Sequence, residues 1–246
     1  VGEVLSGNYY WGSSPYLTFT INSTDQDLVN MSASLWSVNA YCNGIIENLD
    51  MKAGPGVSEY AKNTVKGEAL VWKAMTYFYL VRTFGAVPII HNNSAAISAG
   101  DYNGIFKATI PNVYDYIIMT LEKAIEWLPE SNEPGRIDRY SAYGLLSKVY
   151  LTKAGYGMSS SRNQEDLDKA AEYARKVIEE SGRNLLPVYS DIFRLKNNFS
   201  EESLLAWHWV VSNQWTSQNT LQSDLGIVGF DEYGATWGGY AGPSVD

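Results

Sequence analysis

Apolar and aromatic side chains fill almost every position of residues 69–81, where Lys73 and Thr76 are the exceptions. A helix that is apolar on nearly all sides has to be enclosed by other helices. Gly85 suits a left-handed C-cap, and Pro88 prevents the helix from continuing. The run is too short and too interrupted to cross a bilayer. The pattern therefore predicts a central helix that is the most buried element of the protein.

Four other segments carry apolar side chains at helical spacing, and each is bounded by residues that start or stop helices. Ser58 is a suitable N-cap for the central helix, and Asp138 for the fourth helix. We predict five helices, over residues 32–51, 58–84, 111–128, 138–154 and 164–181. The first with the second, and the third with the fourth, should form antiparallel pairs. Stacked hairpins are typical of tetratricopeptide solenoids, although their period of about 34 residues is not kept here.

The predicted fold class is therefore mainly α, a tetratricopeptide-like helix-hairpin solenoid with a few short strands and a helical core over residues 32–181. Glycine, proline and polar residues dominate the remaining segments, which predicts loops over residues 1–31 and 182–246 and an irregular linker over 85–110. Residues 203–211 are the best candidate for a strand. The chain lacks an initiator methionine and ends in a segment of glycine and proline. We therefore expect a single domain that is incomplete at both ends.

Composition narrows the classes of function. The net charge is −9 and no basic face is visible, which argues against nucleic acid as a partner. Aromatic residues make up 13% of the chain, and those in loops mark contact surfaces for ligands or proteins. The single cysteine, Cys42, excludes an internal disulfide and lies in a helical pattern. We interpret it as a small buried apolar residue, with a reactive thiol as the alternative.

No motif of a known catalytic or cofactor-binding site is present, so we expect neither an enzyme nor a cofactor. The two histidines, His91 and His208, lie far apart in different kinds of element, which argues against a metal site. Carboxylate pairs, which a glycosidase requires, occur only in settings typical of a solvated surface. Glu68 differs because it lies on the buried helix, where a carboxylate must be paired. We predict a structural ion pair with one of three partners: Arg82, Arg136 or Arg139.

Two clusters of aromatic side chains lie in loop-like segments, residues 8–16 and residues 213–240. Pyranose rings present apolar C–H faces that stack on Trp and Tyr, while neighbouring Asn, Asp and Arg side chains hydrogen-bond the hydroxyl groups. Surfaces between proteins are enriched in the same aromatics, so a protein-binding face is the alternative. The predicted ligand-binding residues are Trp11, Trp215 and Trp237, with Tyr10 and Tyr240 behind them.

The other tryptophans are assigned to packing. Trp36, Trp72 and Trp127 lie in predicted helices. Trp207 and Trp209 would point to the same side of the predicted strand, and we expect that side to be covered.

A series of short sequence pieces between residues 30 and 210 carries a family resemblance. The pieces are Asn43 with Ile45-Ile46, Gly67-Glu68-Ala69, Tyr77-Phe78, the stretch from Leu80 to Pro88, the stretch from Tyr114 to Pro129, Gly135-Arg136, the stretch from Ala142 to Leu151, and Tyr189 to Phe193 followed by Glu201-Glu202. In order and spacing they resemble the RagB/SusD family of Bacteroidetes outer-membrane nutrient-binding lipoproteins.

The resemblance implies a single SusD-like domain of tetratricopeptide-like helix pairs with an irregular ligand-binding part. It also implies a non-catalytic lipoprotein on the surface of the outer membrane, which delivers oligosaccharides or polysaccharides to a TonB-dependent, SusC-like transporter. Peptide binding, an α-helical glycoside hydrolase or lyase, and a helical scaffold for proteins are the alternatives. The family's lipid-bearing N-terminal cysteine and much of its C-terminal half are absent from the chain, and Cys42, in mid-helix, cannot replace that cysteine.

Overall fold

The computed structural model describes four ranges of the chain: residues 15–100 and 104–210, and the backbone of 9–11 and 241–243. Two compact units divide the chain, one formed by residues 31–206 and the other by residues 1–30 together with 207–246. Within the described ranges the α-helices are α1 (Gln26–Lys52), α2 (Glu59–Phe84), α3 (Asn93–Ala99), α4 (Ile110–Trp127), α5 (Arg139–Lys153) and α6 (Gln164–Glu180). The short elements are the strands β1 (Tyr9–Trp11), β2 (Val87–Pro88), β3 (Lys107–Ala108) and β4 (Ala241–Pro243), and 3₁₀ helices at Tyr189–Phe193 and Leu195–Asn197. The mainly α prediction is confirmed.

Helix ends follow the capping residues of the sequence. The hydroxyl oxygen of Ser58 accepts a hydrogen bond from the backbone N–H of Ala61 (3.2 Å) at the start of α2. Gly85 ends that helix at a φ of +73°, which favours glycine because it has no Cβ. The Asp138 carboxylate accepts a bond from the N–H of Ser141 (2.9 Å) and so begins α5. Both predicted N-caps are therefore confirmed.

Helix α1 begins at Gln26, earlier than the predicted residue 32. Asp25 caps it, because its carboxylate accepts a hydrogen bond from the backbone N–H of Leu28 (3.1 Å). Residues 26–34 are mostly exposed. They lack the buried apolar stripe from which the helix start was predicted, so periodicity could not detect them.

Helix α2 contributes more buried residues than any other described helix, as predicted. Tyr77 and Leu80 are fully enclosed, and the ring of Phe78 is almost so. The backbone of α2 makes its most extensive contact with α4, and α5 packs on both α4 and α6. Helix α1 reaches α2 through side chains, among them Trp36, whose ring meets that of Tyr77 edge to face at 6.0 Å. The helices thus pack in series, but the most extensive backbone contact joins the second and third predicted helices rather than the first and second.

The segment predicted as an irregular linker, residues 85–110, contains regular elements in its described parts, residues 85–100 and 104–110. Strands β2 and β3 pair antiparallel, with Val87 opposite Ala108. Between them lies α3, whose N-cap Asn92 accepts a hydrogen bond from the backbone N–H of Ala95 (2.6 Å). The linker prediction was wrong because these elements are too short to show apolar periodicity.

The predicted strand over residues 203–211 is not present in its described part, residues 203–210. Side chains occupy the backbone carbonyl groups that a neighbouring strand would need. Ser141 donates its hydroxyl hydrogen to the carbonyl oxygen of Leu204, and Arg183 donates from Nη1 to that of Ser203 (2.7 Å). At Ser203 and Leu204, side chains therefore take the place that a pairing strand would fill.

Candidate ligand-binding site

The two aromatic segments predicted to bind ligand are linked by backbone pairing of β1 and β4. The strands are antiparallel, with Tyr9 opposite Pro243, Tyr10 opposite Gly242 and Trp11 opposite Ala241. Strand β1 lies within the first aromatic segment, and β4 directly follows the second, since Tyr240 precedes Ala241. Two strands separated by most of the chain therefore pair in one ladder, one inside the first aromatic segment and one directly after the second in sequence. Within that ladder, the residue paired with Trp11 is the sequence neighbour of Tyr240.

The five predicted ligand-binding residues stand differently toward the described structure. Tyr10 and Trp11 lie in β1, where the backbone alone is described. Trp215, Trp237 and Tyr240 lie outside the described residues. The role of all five in binding stays a prediction.

Trp207 and Trp209 are exposed, by 58% and 53%, although the sequence assigned them to a covered side of a strand. That assignment was wrong because the strand itself is not formed there. Large exposed aromatic rings are suited to contact with a ligand or a partner. The signal in the sequence is the Trp-His-Trp triplet, which leads into the aromatic segment 213–240. These two residues join the candidates for ligand binding.

The remaining tryptophans divide into two groups. Trp36 and Trp72 are partly buried and pack against the core, which confirms their assignment to packing. Trp127 is also half-buried, but it lies at the end of α4 with the ammonium groups of Lys123 and Lys66 at 4.7 and 5.8 Å from the ring centroid. Trp127 is not among the side chains that pack against the core. It instead forms part of the wall of a pocket, with two lysines beside its ring.

Glu68 forms the structural ion pair that was predicted, and its partner is Arg136. The guanidinium donates from Nε to Glu68 Oε1 (2.7 Å) and from Nη2 to Oε2 (2.6 Å), a two-pronged geometry that fixes the orientation of both groups. The other two candidate arginines are engaged elsewhere. Arg139 pairs with Glu130 at 2.9 Å, and the guanidinium of Arg82 lies 5.1 Å from the ring centroid of Phe78. A carboxylate held in this way is a structural group.

A buried polar network that the sequence did not reveal connects three elements. Lys73 of α2 is buried and donates from Nζ to the side-chain oxygen of Asn43 in α1. The Asn43 amide nitrogen in turn donates to the carbonyl oxygen of Ile90 (3.0 Å) and to Asn93 Oδ1 of α3 (2.7 Å). Burial lowers the pKa of Lys73. Asn43 thus accepts a hydrogen bond from the buried ammonium group and also holds the segment after β2 against α1.

Cys42 is 4% exposed, which confirms its interpretation as a buried residue. Burial raises the pKa of its thiol to about 11, so the thiol is protonated at neutral pH and is a poor nucleophile. Within the described ranges, His, Cys, Asp and Glu side chains form no group of three that could hold a metal ion.

Comparison with known proteins places the chain in a family. A SusD-like family model, described as "Starch-binding associating with outer membrane", matches residues 5–151, which is more than half of the chain. The chain belongs to the SusD-like family. A SusD-like protein of Bacteroides ovatus is 34% identical over 228 residues, which cover 92% of this chain and 41% of that protein. The resemblance inferred from the sequence pieces is therefore confirmed.

Solved structures share the fold of this chain. A crystal structure with xylogluco-oligosaccharide is 32% identical, with a TM-score of 0.81 over 91% of this chain and 44% of that one. A laminarin-binding SusD-like protein is 25% identical, with a TM-score of 0.68 over 82% of this chain and 44% of that one. The chain spans less than half the length of these relatives. None of the helices in the described ranges combines the length and the apolar character that crossing a bilayer requires.

Proposed function

We propose that this chain belongs to a non-catalytic, cell-surface protein that captures oligosaccharides and delivers them to a TonB-dependent outer-membrane transporter. The observation that carries the proposal is the β1–β4 ladder, which links the two aromatic segments of the sequence. Membership of a family described as starch-binding, and two relatives whose names include a xylogluco-oligosaccharide and laminarin, support a glycan as the ligand.

Stacking is the mode of binding that fits these residues. The face of a pyranose ring is apolar and flat, so an indole or phenol ring covers it, while the rim of hydroxyl groups stays hydrogen-bonded to polar neighbours or water. A ring exposed before binding requires no rearrangement of the protein. Several moderate contacts of this kind allow capture and also release, which a protein that hands its cargo to a transporter needs. Trp11, Trp215 and Trp237 are proposed to supply these contacts, with Tyr10 and Tyr240 behind them.

The proposed absence of catalysis rests on the state of the ionisable groups. Glu68, the carboxylate that the sequence placed on the buried helix, is held by Arg136. Cys42 is protonated and enclosed. A glycosidase needs two carboxylates flanking one bond, one of them kept protonated by its surroundings. These two groups serve the fold instead, which supports binding without turnover.

Membership of the family supports the proposed partner and location. The description of the family as associating with the outer membrane supports a surface protein. Anchoring by a lipid on an N-terminal cysteine, as the resemblance implies, would keep the ligand site outside the cell beside a SusC-like transporter. Binding of a peptide in place of a glycan is the main alternative for the same aromatic surface.

Calorimetry on the full-length protein tests the proposal. We expect saturable binding of a xylogluco-oligosaccharide or a laminari-oligosaccharide, and weaker binding in Trp11→Ala, Trp215→Ala and Trp237→Ala. Tyr41→Ala is the matched control, because Tyr41 is 73% exposed on α1, outside both aromatic segments. Unchanged affinity in all three tryptophan variants would place the glycan site elsewhere. Release of reducing sugar by the pure protein, abolished by a single Asp or Glu substitution, would show an enzyme.

A further inference from the structure

A pocket with a volume of about 410 Å³ lies between the first turn of α2 and the end of α4, within the unit of residues 31–206. Its size falls in the lower part of the range of small-molecule sites, about 300–1,000 Å³. The side chains that matter for its chemistry are Tyr60, Asn63, Trp127, Glu130, Ser131 and Arg139. None of them belongs to the aromatic segments proposed above as the glycan site.

Hydrogen bonds fix the wall of this pocket. Arg139 donates from Nη1 to Glu130 Oε1 (2.9 Å) and from Nη2 to the carbonyl oxygen of Leu128 (3.3 Å). The backbone N–H of Arg139 also donates to the carbonyl oxygen of Pro129 (2.8 Å). These bonds orient Arg139 before a ligand arrives, which reduces the entropy lost on binding. The Glu130 side chain is 72% exposed, so its oxygens remain accessible to a ligand.

The charges in the pocket are balanced. Glu130 pairs with Arg139, and Glu126 pairs with Lys123 at 2.6 Å. A neutralised pair gives an incoming ion little net attraction. Its oxygen and nitrogen atoms still accept and donate hydrogen bonds, and the Asn63 amide and the Ser131 hydroxyl add both functions. This set of groups matches a neutral ligand rich in hydroxyl groups.

An aromatic ring completes the pocket. Tyr60 lies in the first turn of α2 and is 66% exposed, so one face of its ring is open to a ligand. Trp127 forms part of the wall, and its ring is held beside the ammonium groups of Lys123 and Lys66. One open ring with hydrogen-bonding groups around it suits the apolar face and polar rim of a sugar.

We propose that this pocket is a second saccharide site, on the helical part of the protein, which holds a sugar unit of a neutral, glucose-based oligosaccharide. Tyr60 stacks on the sugar face, and Asn63, Glu130 and Arg139 hydrogen-bond its hydroxyl groups. The inference rests on the proposed glycan-binding function, and it adds a second point of attachment. Two sites on one chain raise the effective concentration of the glycan at each of them.

Fluorine NMR on the full-length protein labelled with 5-fluorotryptophan tests the site, with the Trp127 resonance assigned from Trp127→Phe. We titrate a xylogluco-oligosaccharide and a laminari-oligosaccharide. The Trp127 resonance should shift saturably with one or both probes. Tyr60→Ala should raise the ligand concentration at the midpoint of that shift roughly threefold to tenfold, which corresponds to the loss of one aromatic contact. Tyr41→Ala removes an equally exposed helical tyrosine and should leave the midpoint unchanged.

Each outcome separates the two proposals. Movement of other tryptophan resonances without movement of Trp127 overturns the second site and leaves glycan binding in place. A Trp127 shift that survives Tyr60→Ala unchanged places the sugar outside the pocket and also overturns the inference. If no tryptophan resonance shifts with either probe, both the second site and glucan binding by the protein are overturned.

Discussion

The substitution Gly67→Ala tests how closely α2 and α4 pack. Gly67 lies on α2, and a Cβ added there would stand 2.9 Å from Leu128 Cγ, 3.1 Å from Leu128 Cδ2 and 3.4 Å from the carbonyl oxygen of Ala124. Cβ atoms do not approach other atoms as closely as the first of these distances. Leu128 is 1% exposed and Ala124 is fully buried, so neither can move into solvent. The two helices would have to separate or distort.

Two opposing contributions set the magnitude. Alanine is favoured over glycine inside a helix by about 1 kcal/mol. Added volume in a well-packed core typically costs about 1–3 kcal/mol. Because the contact involves the branch point of a buried leucine, the cost should lie in the upper part of its range, about 2–3 kcal/mol, with a net loss of roughly 1–2 kcal/mol in the free energy of unfolding.

Gly44 supplies the control for this reasoning. It lies inside α1, and a Cβ added there would have no atom within 4 Å. Gly44→Ala keeps the gain in helix propensity without the collision, so it should stabilise the protein by roughly 0.5–1 kcal/mol. The same chemical change is thus expected to act with opposite signs at the two glycines.

Urea denaturation followed by tryptophan fluorescence, together with the melting temperature, measures both variants. A change of 1 kcal/mol corresponds to a shift of about 2–4 °C for a chain of this size. In the double variant Gly67→Ala with Leu128→Ala, the collision is absent, so the two losses should not add. Stabilisation of the protein by Gly67→Ala to the same extent as by Gly44→Ala would refute the close approach of α2 and α4.

Three further predictions concern titratable and charged side chains. Asn43→Leu should cost about 3 kcal/mol or more, because it leaves the ammonium group of Lys73 buried without its acceptor, and a urea titration measures the loss. Partial burial of the ring and the charge of Lys73 lower the pKa of His91 from its usual 6.5, so the native state favours the neutral imidazole. The contribution of His91 to the free energy of unfolding is therefore full above pH 6.5 and is lost as the pH falls through the native pKa. An NMR titration should place the His91 pKa below 6.5, and Lys73→Met should raise it. A double-mutant cycle of Arg136→Ala with Glu68→Gln should give a coupling energy of about 1 kcal/mol, because the arginine is half-exposed and solvent weakens the pair.

Local signals in the sequence predicted the helical framework. Apolar periodicity and capping residues act within a few positions of one another, so α2 and the caps Ser58 and Asp138 could be recognised without knowledge of the fold. Pairing of Glu68 could also be predicted, because a carboxylate on a buried helix requires a partner. The choice among three arginines depended on the path of the chain and could not be made in advance.

Elements stabilised over long distances in sequence escaped prediction. Helix α3 and the segment before it are tied to Asn43, which lies 47 residues before Ile90 and 50 residues before Asn93. No local pattern marks that connection. Trp207 and Trp209 were assigned to a covered strand for the same reason, since whether an apolar run forms a strand depends on the fold around it rather than on the run itself.

The sequence pieces that carry the family resemblance coincide with junctions of the helical framework. Gly67 lies at the close approach of α2 and α4, Glu68 binds Arg136 across the chain, and Asn43 joins α1 to Lys73 and the segment before α3. Each position is restricted by contacts that a substitution would break, which gives these pieces a structural reason to recur in a family. The residues proposed to contact glycan are not among those sequence pieces. A framework fixed at such points can keep its fold while loop aromatics change, so recognition of the family predicts the architecture well and the identity of the sugar poorly.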